Sequence, residues 1–121
     1  MNKNAVYFNV SLKINAGQLD AFKEIAEAMI AVTRQESGAL AYEWYFSDDL
    51  SRCRLIETYV DEAAVQAHIA GRAVQELVPR MLKVSSISNF EVYGYPGLDA
   101  AKVLTGIGAE IFRRWSGIAV A

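Results

Sequence analysis

Residues Gly38–Tyr59 read GALAYEWYFSDDLSRCRLIETY, and the spacing within them predicts two strands and the turn between. Leu40, Tyr42, Trp44 and Phe46 alternate with Ala41, Glu43, Tyr45 and Ser47, the period-two pattern of a strand with one apolar face. The polar run Ser47–Arg52 supplies turn chemistry. Cys53, Leu55, Glu57 and Tyr59 then alternate with Arg54, Ile56, Thr58 and Val60. A turn centred on Asp49-Leu50 sets Phe46 opposite Cys53, Trp44 opposite Leu55 and Tyr42 opposite Glu57. A one-residue slip would face Glu57 with Glu43, a repulsive pair, so the first register is expected.

Upstream, Val6, Phe8, Val10, Leu12 and Ile14 alternate as a first strand. A helix follows from near Gln18, with Leu19, Phe22, Ile25, Ala26, Met29 and Val32 as its apolar stripe, and Gly38 stops it. Downstream, Asp61 caps a second helix whose inner face carries Val65, His68, Ile69 and Leu77, bent or split at Gly71. Val84–Tyr95 reads as a fourth strand, with Ile87, Asn89, Glu91 and Tyr93 on its outer side. Pro96-Gly97 ends it, and a last helix is expected from Leu98 through Val103, Leu104, Ile107, Ile111, Phe112 and Trp115. The order predicts an α+β, ferredoxin-like split βαβ fold with a four-stranded antiparallel sheet. It forms one domain over residues 1–121, a core over 1–96 and a C-terminal helix and tail over 97–121. Tyr7, Tyr45, Ile56, Val60, Ile87 and Tyr93 fall on the sheet face that no helix covers. Apolar patches of that kind mark interfaces, so a homodimer packed sheet face to sheet face is expected, with the apolar tail from Gly117 contributing.

Composition narrows the function. The chain has 121 residues, 53% of them hydrophobic, and a net charge of −2 with both signs interspersed, which argues against nucleic acid and lipid surfaces. A single cysteine, Cys53, implies a reducing compartment, and with no apolar leader or membrane-length run the expectation is a cytoplasmic protein. Gly106-Ile107-Gly108 lies within a helix pattern, so it is no dinucleotide motif, and Asp48-Asp49 is a turn rather than a metal site.

The run Glu57-x-Tyr59-x-Asp61-x-x-Ala64-x-x-x-His68, preceded by Gly38-x-Leu40-x-Tyr42, resembles the signature of the antibiotic biosynthesis monooxygenase family. The resemblance extends through Gly94-Tyr95-Pro96-Gly97 to the Gly117 tail. It implies a dimeric α/β barrel and oxygenation of a quinol or polyphenol by O2 with no metal or flavin cofactor. Two positions depart from the anthrone-oxidising members, Tyr59 standing for Trp and Leu55 for Asn. Haem degraders of the superfamily pair a first-strand Asn with a downstream His. Asn9 could supply the former only through a strand irregularity, and no histidine follows His68.

His68, the sole histidine, is expected on the apolar side of its helix as a base for a phenolic proton, with Glu57 and Tyr59 completing the catalytic group. Glu57 needs a partner, among which Tyr42, His68, Arg72 and Arg80 are in range of its strand face. Tyr42, Trp44, Phe46, Leu55 and Val65 would line an aromatic pocket, with Ala26, Ala64 and Ala67 leaving it room. A binding module that holds an aromatic metabolite without turnover is the alternative, and haem binding the third reading.

Overall fold

Every second residue of β1 (Val6–Ile14) is buried on one side, and this strand forms the middle of the sheet. The computed structural model describes residues 4–119. β2 (Ala39–Phe46), β3 (Arg52–Tyr59), β4 (Ser85–Tyr93) and β5 (Glu110–Phe112) complete a sheet in the order β2-β3-β1-β4-β5. The sheet is open within one chain. β1 pairs antiparallel with both β3 and β4, as the split βαβ pattern requires. The expected hairpin register is the one observed, with Tyr42 opposite Glu57 and Trp44 opposite Leu55. Leu50 takes the left-handed turn position at φ 62°.

α1 (Leu19–Thr33) buries Phe22, Ile25, Ala26 and Met29 on the inner sheet face. α2 (Glu62–Ala70) starts where Asp61 accepts a hydrogen bond from Ala64 N–H at 2.9 Å, and it buries Val65, His68 and Ile69. Gly71 breaks it, and a π-helical turn over Ala73–Leu77 leads into α3 (Val78–Met81). Pro79 has no N–H to return to Gln75, which favours a widened turn just before it. Cys53 is a free, buried thiol whose burial pushes its pKa up to about 11, so it packs as a small hydrophobe.

Two expectations need correction. The last helix, α4, covers only Leu98–Gly106. Gly108 at φ 103° closes it: its N–H bonds Thr105 O and the Ala109 N–H bonds Leu104 O, both at 3.0 Å. Ile111 and Phe112 therefore lie in β5, which pairs parallel with β4 and makes the sheet five-stranded, while Trp115 is exposed beyond it. Secondly, bulges alter parity. Leu40 is an inserted residue between the pairs Ala39–Tyr59 and Ala41–Thr58 and is half exposed instead of facing the core. Ser88 is likewise inserted between the pairs Leu12–Ile87 and Ser11–Asn89, which turns Ile87 from the open face to the inner one. Of the tail expected to seek a partner, residues 120–121 lie outside the described residues.

Gly38 holds α2 against the start of β2. A Cβ there would fall well inside contact distance of Ala64 Cβ. Gly38→Ala is therefore expected to lower stability by about 1–3 kcal/mol through overpacking. Adding Ala64→Gly should recover part of that loss, despite a helix-propensity penalty of about 1 kcal/mol. Urea midpoints of both single variants and the double variant give the coupling.

Candidate functional site

β3 carries Glu57 at the middle of its inner face, between Tyr42 on β2 and Phe8 on β1. Those neighbours are aromatic, so the carboxyl group leaves water for an apolar wall and is 4% exposed. Such burial disfavours the charged form. The Glu57 pKa is accordingly pushed up to about 8, chiefly by desolvation, with the Tyr59 hydrogen bond acting against it and the charge of Glu36 adding to it. Tyr59, two residues along the same strand face, donates its O–H to Glu57 Oε1 at 2.5 Å.

α2 returns over this strand and brings His68 down onto it. The imidazole is 3% exposed, with its Nε2 at 3.5 Å from Glu57 Oε1 and its ring 5.0 Å from that of Tyr59. Burial holds His68 below its ordinary pKa, with Glu36 pulling in the opposite direction. Both shifts favour neutral partners, so near neutral pH the contact joins a carboxylic acid to an uncharged imidazole rather than two ions. His68 Nδ1 lies 2.9 Å from Glu36 Oε1, a carboxylate in the turn after α1. Placing the proton on Nδ1, donating to Glu36, turns the lone pair of Nε2 toward Glu57.

Glu36 had no place in the sequence reading. It sits 32 positions from His68 in a polar turn with no motif around it. The available signal was indirect: a buried imidazole has two nitrogens to satisfy, and Glu57 can serve only one. Arg72 and Arg80 do not reach Glu57; Arg72 pairs with Glu76 on the surface at 2.5 Å, and Arg80 is exposed.

A cavity of about 80 Å³ adjoins this group. Of the residues expected around one pocket, Tyr42, Trp44, Leu55, Glu57 and His68 line it. Tyr59 stands behind Glu57, Val65 is wholly buried in α2, and Phe46 packs on Phe22 at the end of β2, with ring centroids 6.0 Å apart. Ala64 and Ala67 provide none of its wall, which comes instead from Phe8, Phe90, Ile87 and residues after Gly71, among them Val78, Val103 and Ile107. Among the described residues, the Tyr42 hydroxyl and the Trp44 indole N–H are buried with no hydrogen-bond partner. Burial and the Glu57 charge raise the Tyr42 pKa, so its phenol stays protonated. Thr33 lies beside that hydroxyl and offsets part of the shift, although neither hydroxyl has a partner that meets hydrogen-bond geometry. Two residues that line the cavity thus carry unpartnered donors, and the ring of one, Tyr42, lies 5.8 Å from that of His68. Asn9 lies on the opposite sheet face, its Oδ1 buried and unpartnered, near Tyr93 and Glu91.

The burial of Glu57 has a pH signature. Its folded pKa exceeds the ordinary carboxylate value, so between that value and about 8 the folded state holds a proton that the unfolded chain releases. Stability from this source is full at acid pH and falls as pH rises to about 8. His68 works the other way, but only below its ordinary value near 6.5. From pH 6.5 to 9 the wild type is therefore expected to lose stability relative to Glu57→Gln, as read from urea midpoints.

The sequence model of the antibiotic biosynthesis monooxygenase family matches residues 5–80, more than half of the chain. No curated protein matches by sequence. Among solved structures, MupZ from Pseudomonas fluorescens superposes with a TM-score of 0.82 at 22% identity, covering 97% of this chain and 95% of that one. SnoaB from Streptomyces nogalater, described as a cofactor-independent oxygenase, gives 0.68 at 12% identity, covering 78% and 96%. Protein SO0527 from Shewanella oneidensis gives 0.64 at 27% identity, covering 75% and 88%. Among the described residues no helix is long and apolar enough to cross a membrane.

Proposed function

The chain belongs to the antibiotic biosynthesis monooxygenase family, and from that premise we propose that it oxygenates a phenolic or quinol substrate with O2, without a cofactor. The observation that carries this reading is the buried Glu57–His68 pair on an apolar cavity also lined by Tyr42 and Trp44, whose donors are unpartnered among the described residues. That SnoaB is a cofactor-independent oxygenase of the same fold supports it.

A phenol ionises near pH 10, and an ordinary carboxylate is a poor base for it. Raising Glu57 to about 8 narrows that gap to about two units, which makes proton transfer to the pair practicable. The phenolate gives one electron to O2, forming superoxide, and the two radicals join at a ring carbon. The proton on that carbon leaves to the base, the O–O bond breaks, and the departing oxygen takes up both protons as water. The ring keeps the other oxygen as a carbonyl. Phenol plus O2 thus becomes quinone plus water. The Tyr42 O–H and Trp44 N–H would bind the oxygen that gathers negative charge, in a site with little water to reorganise.

Oxygen uptake with a hydroquinone or phenol panel in chelator-treated buffer tests the reading. The expected kcat/KM rises with pH and levels above about 8, the range in which Glu57 ionises. Glu57→Gln should remove that limb and slow turnover by about 10²–10⁴-fold. An unchanged limb in the variant would refute the assignment. Saturable ligand binding with no oxygen consumption would instead make the protein a binding module. Haem suits the site poorly, since both nitrogens of its histidine are engaged by carboxyl groups.

We also propose a two-fold homodimer packed sheet face to sheet face. Tyr7, Tyr45, Val60 and Phe112 are each more than a third exposed, and the orphaned Asn9 Oδ1 wants a partner. Obligate interfaces bury roughly 2,000 Å² or more and resist charge at their centre. Ile56→Lys should therefore give monomer or aggregate in sedimentation; a well-folded dimer at low micromolar concentration would contradict this packing. The free, buried Cys53 suits a reducing compartment, and we place the protein in the cytoplasm.

A further inference from the structure

The cavity beside Glu57 is polar at one end only. Its four polar side chains, Tyr42, Trp44, Glu57 and His68, come from β2, β3 and α2, and the remaining wall is apolar. Among the described residues no lysine or arginine lines it. The walls near the polar end are sealed, Leu55, Ile69 and Phe90 each being less than a tenth exposed. At the far end Leu82, just after α3, and Val103, on α4, are 41% and 42% exposed. The cavity therefore opens along the seam between α3 and α4, through an apolar rim.

At about 80 Å³ the cavity is too small for an aromatic ring. A cavity of about 150 Å³ is the size known to take benzene. Some wall must move, and α4 is the one built to do so. Its ends are Gly97 at φ 95° and Gly108 at φ 103°, and Gly106 has no neighbour within 4 Å of where a Cβ would stand. Among the described residues its only side-chain hydrogen bonds, from Thr105 to Ala101 and Lys102, stay within the helix. Its inner side supplies Leu104 and Val103 to the cavity, with Ile107 directly after it.

We infer that the site takes an uncharged amphiphile, a phenolic or enolic hydroxyl on an apolar tail, head first to Glu57 and His68, with α4 as the wall that yields to the tail. An anionic substituent within the cavity is rejected, because no cation in the lining offsets the loss of its hydration. This rests on the reading of Glu57–His68 as the end that receives the hydroxyl.

Binding without turnover separates the two proposals. Trp44 lies in the cavity wall, and in a Trp115→Phe background it is the sole indole, so its fluorescence reports occupancy under anaerobic conditions. Affinity for 4-alkylphenols from ethyl to octyl should tighten by about fourfold per methylene until the tail leaves the seam. Phenols of equal length ending in a carboxylate should bind at least about tenfold more weakly, through the loss of apolar contact and the unpaired charge. Amide hydrogen exchange should slow on 98–107 when octylphenol binds. Ile107→Phe, or Val103→Phe where the first fails to fold, keeps Trp44 the sole indole and should weaken octylphenol several-fold more than it weakens phenol. Affinity independent of tail length, equal binding of the carboxylates, or protection confined to the groove of Lys23, Ala26 and Phe46 between α1 and β2 would overturn the inference. Any of these with oxygen uptake intact would leave the proposed chemistry standing.

Discussion

Glu57 is a carboxyl group placed where the fold offers it almost no water, and much of the surrounding structure follows from that. Left ionised and alone, it would cost several kcal/mol. The chain answers in two ways. Burial keeps the proton on it near neutral pH, and Tyr59 and His68 supply partners within the same layer. His68 is then constrained in turn, because an imidazole 3% exposed needs both nitrogens satisfied, and Glu36 serves the second. To bring His68 down, α2 must start directly after β3 and lie close to the sheet. The Asp61 cap fixes the start, and the side-chain-free position at Gly38 permits the approach of Ala64.

The hairpin was legible because charge and periodicity agreed on it. Only one register kept Glu57 away from Glu43, and that register placed Tyr42, Trp44 and Glu57 on one face. The Asp61 cap and the break at Gly71 were legible for the same reason, local chemistry with one reading. Bulges were not. An alternating pattern carries no mark of an inserted residue, so Leu40 and Ile87 were assigned by a parity that Ser88 and the bulge near Leu40 reset. The end of α4 was illegible for a different cause. Ile111, Phe112 and Trp115 continue a helical spacing across Gly106-Ile107-Gly108, whereas Gly108 in a left-handed conformation terminates the helix outright. Glu36 required tertiary structure, since nothing local ties a turn residue to a histidine two elements away.

The division between what the fold supplies and what this chain supplies runs through the site itself. Structures at 12–27% identity share the sheet and its helices, which shows the scaffold and leaves the chemistry to particular side chains. The match to the family ends at residue 80, within α3. Tyr42, Glu57 and His68 lie inside that region, while Leu82, Val103 and Ile107 lie beyond it. The polar end of the cavity is thus built from the shared part, and the apolar mouth from the rest. Selectivity by the mouth needs no change at Glu57: lengthening or narrowing an apolar channel alters affinity by the area it buries. The proton chemistry at the closed end depends instead on keeping that end dry, which an apolar mouth also does. One wall therefore serves both requirements, and a charge introduced there would disturb the Glu57 pKa as well as the fit of a tail.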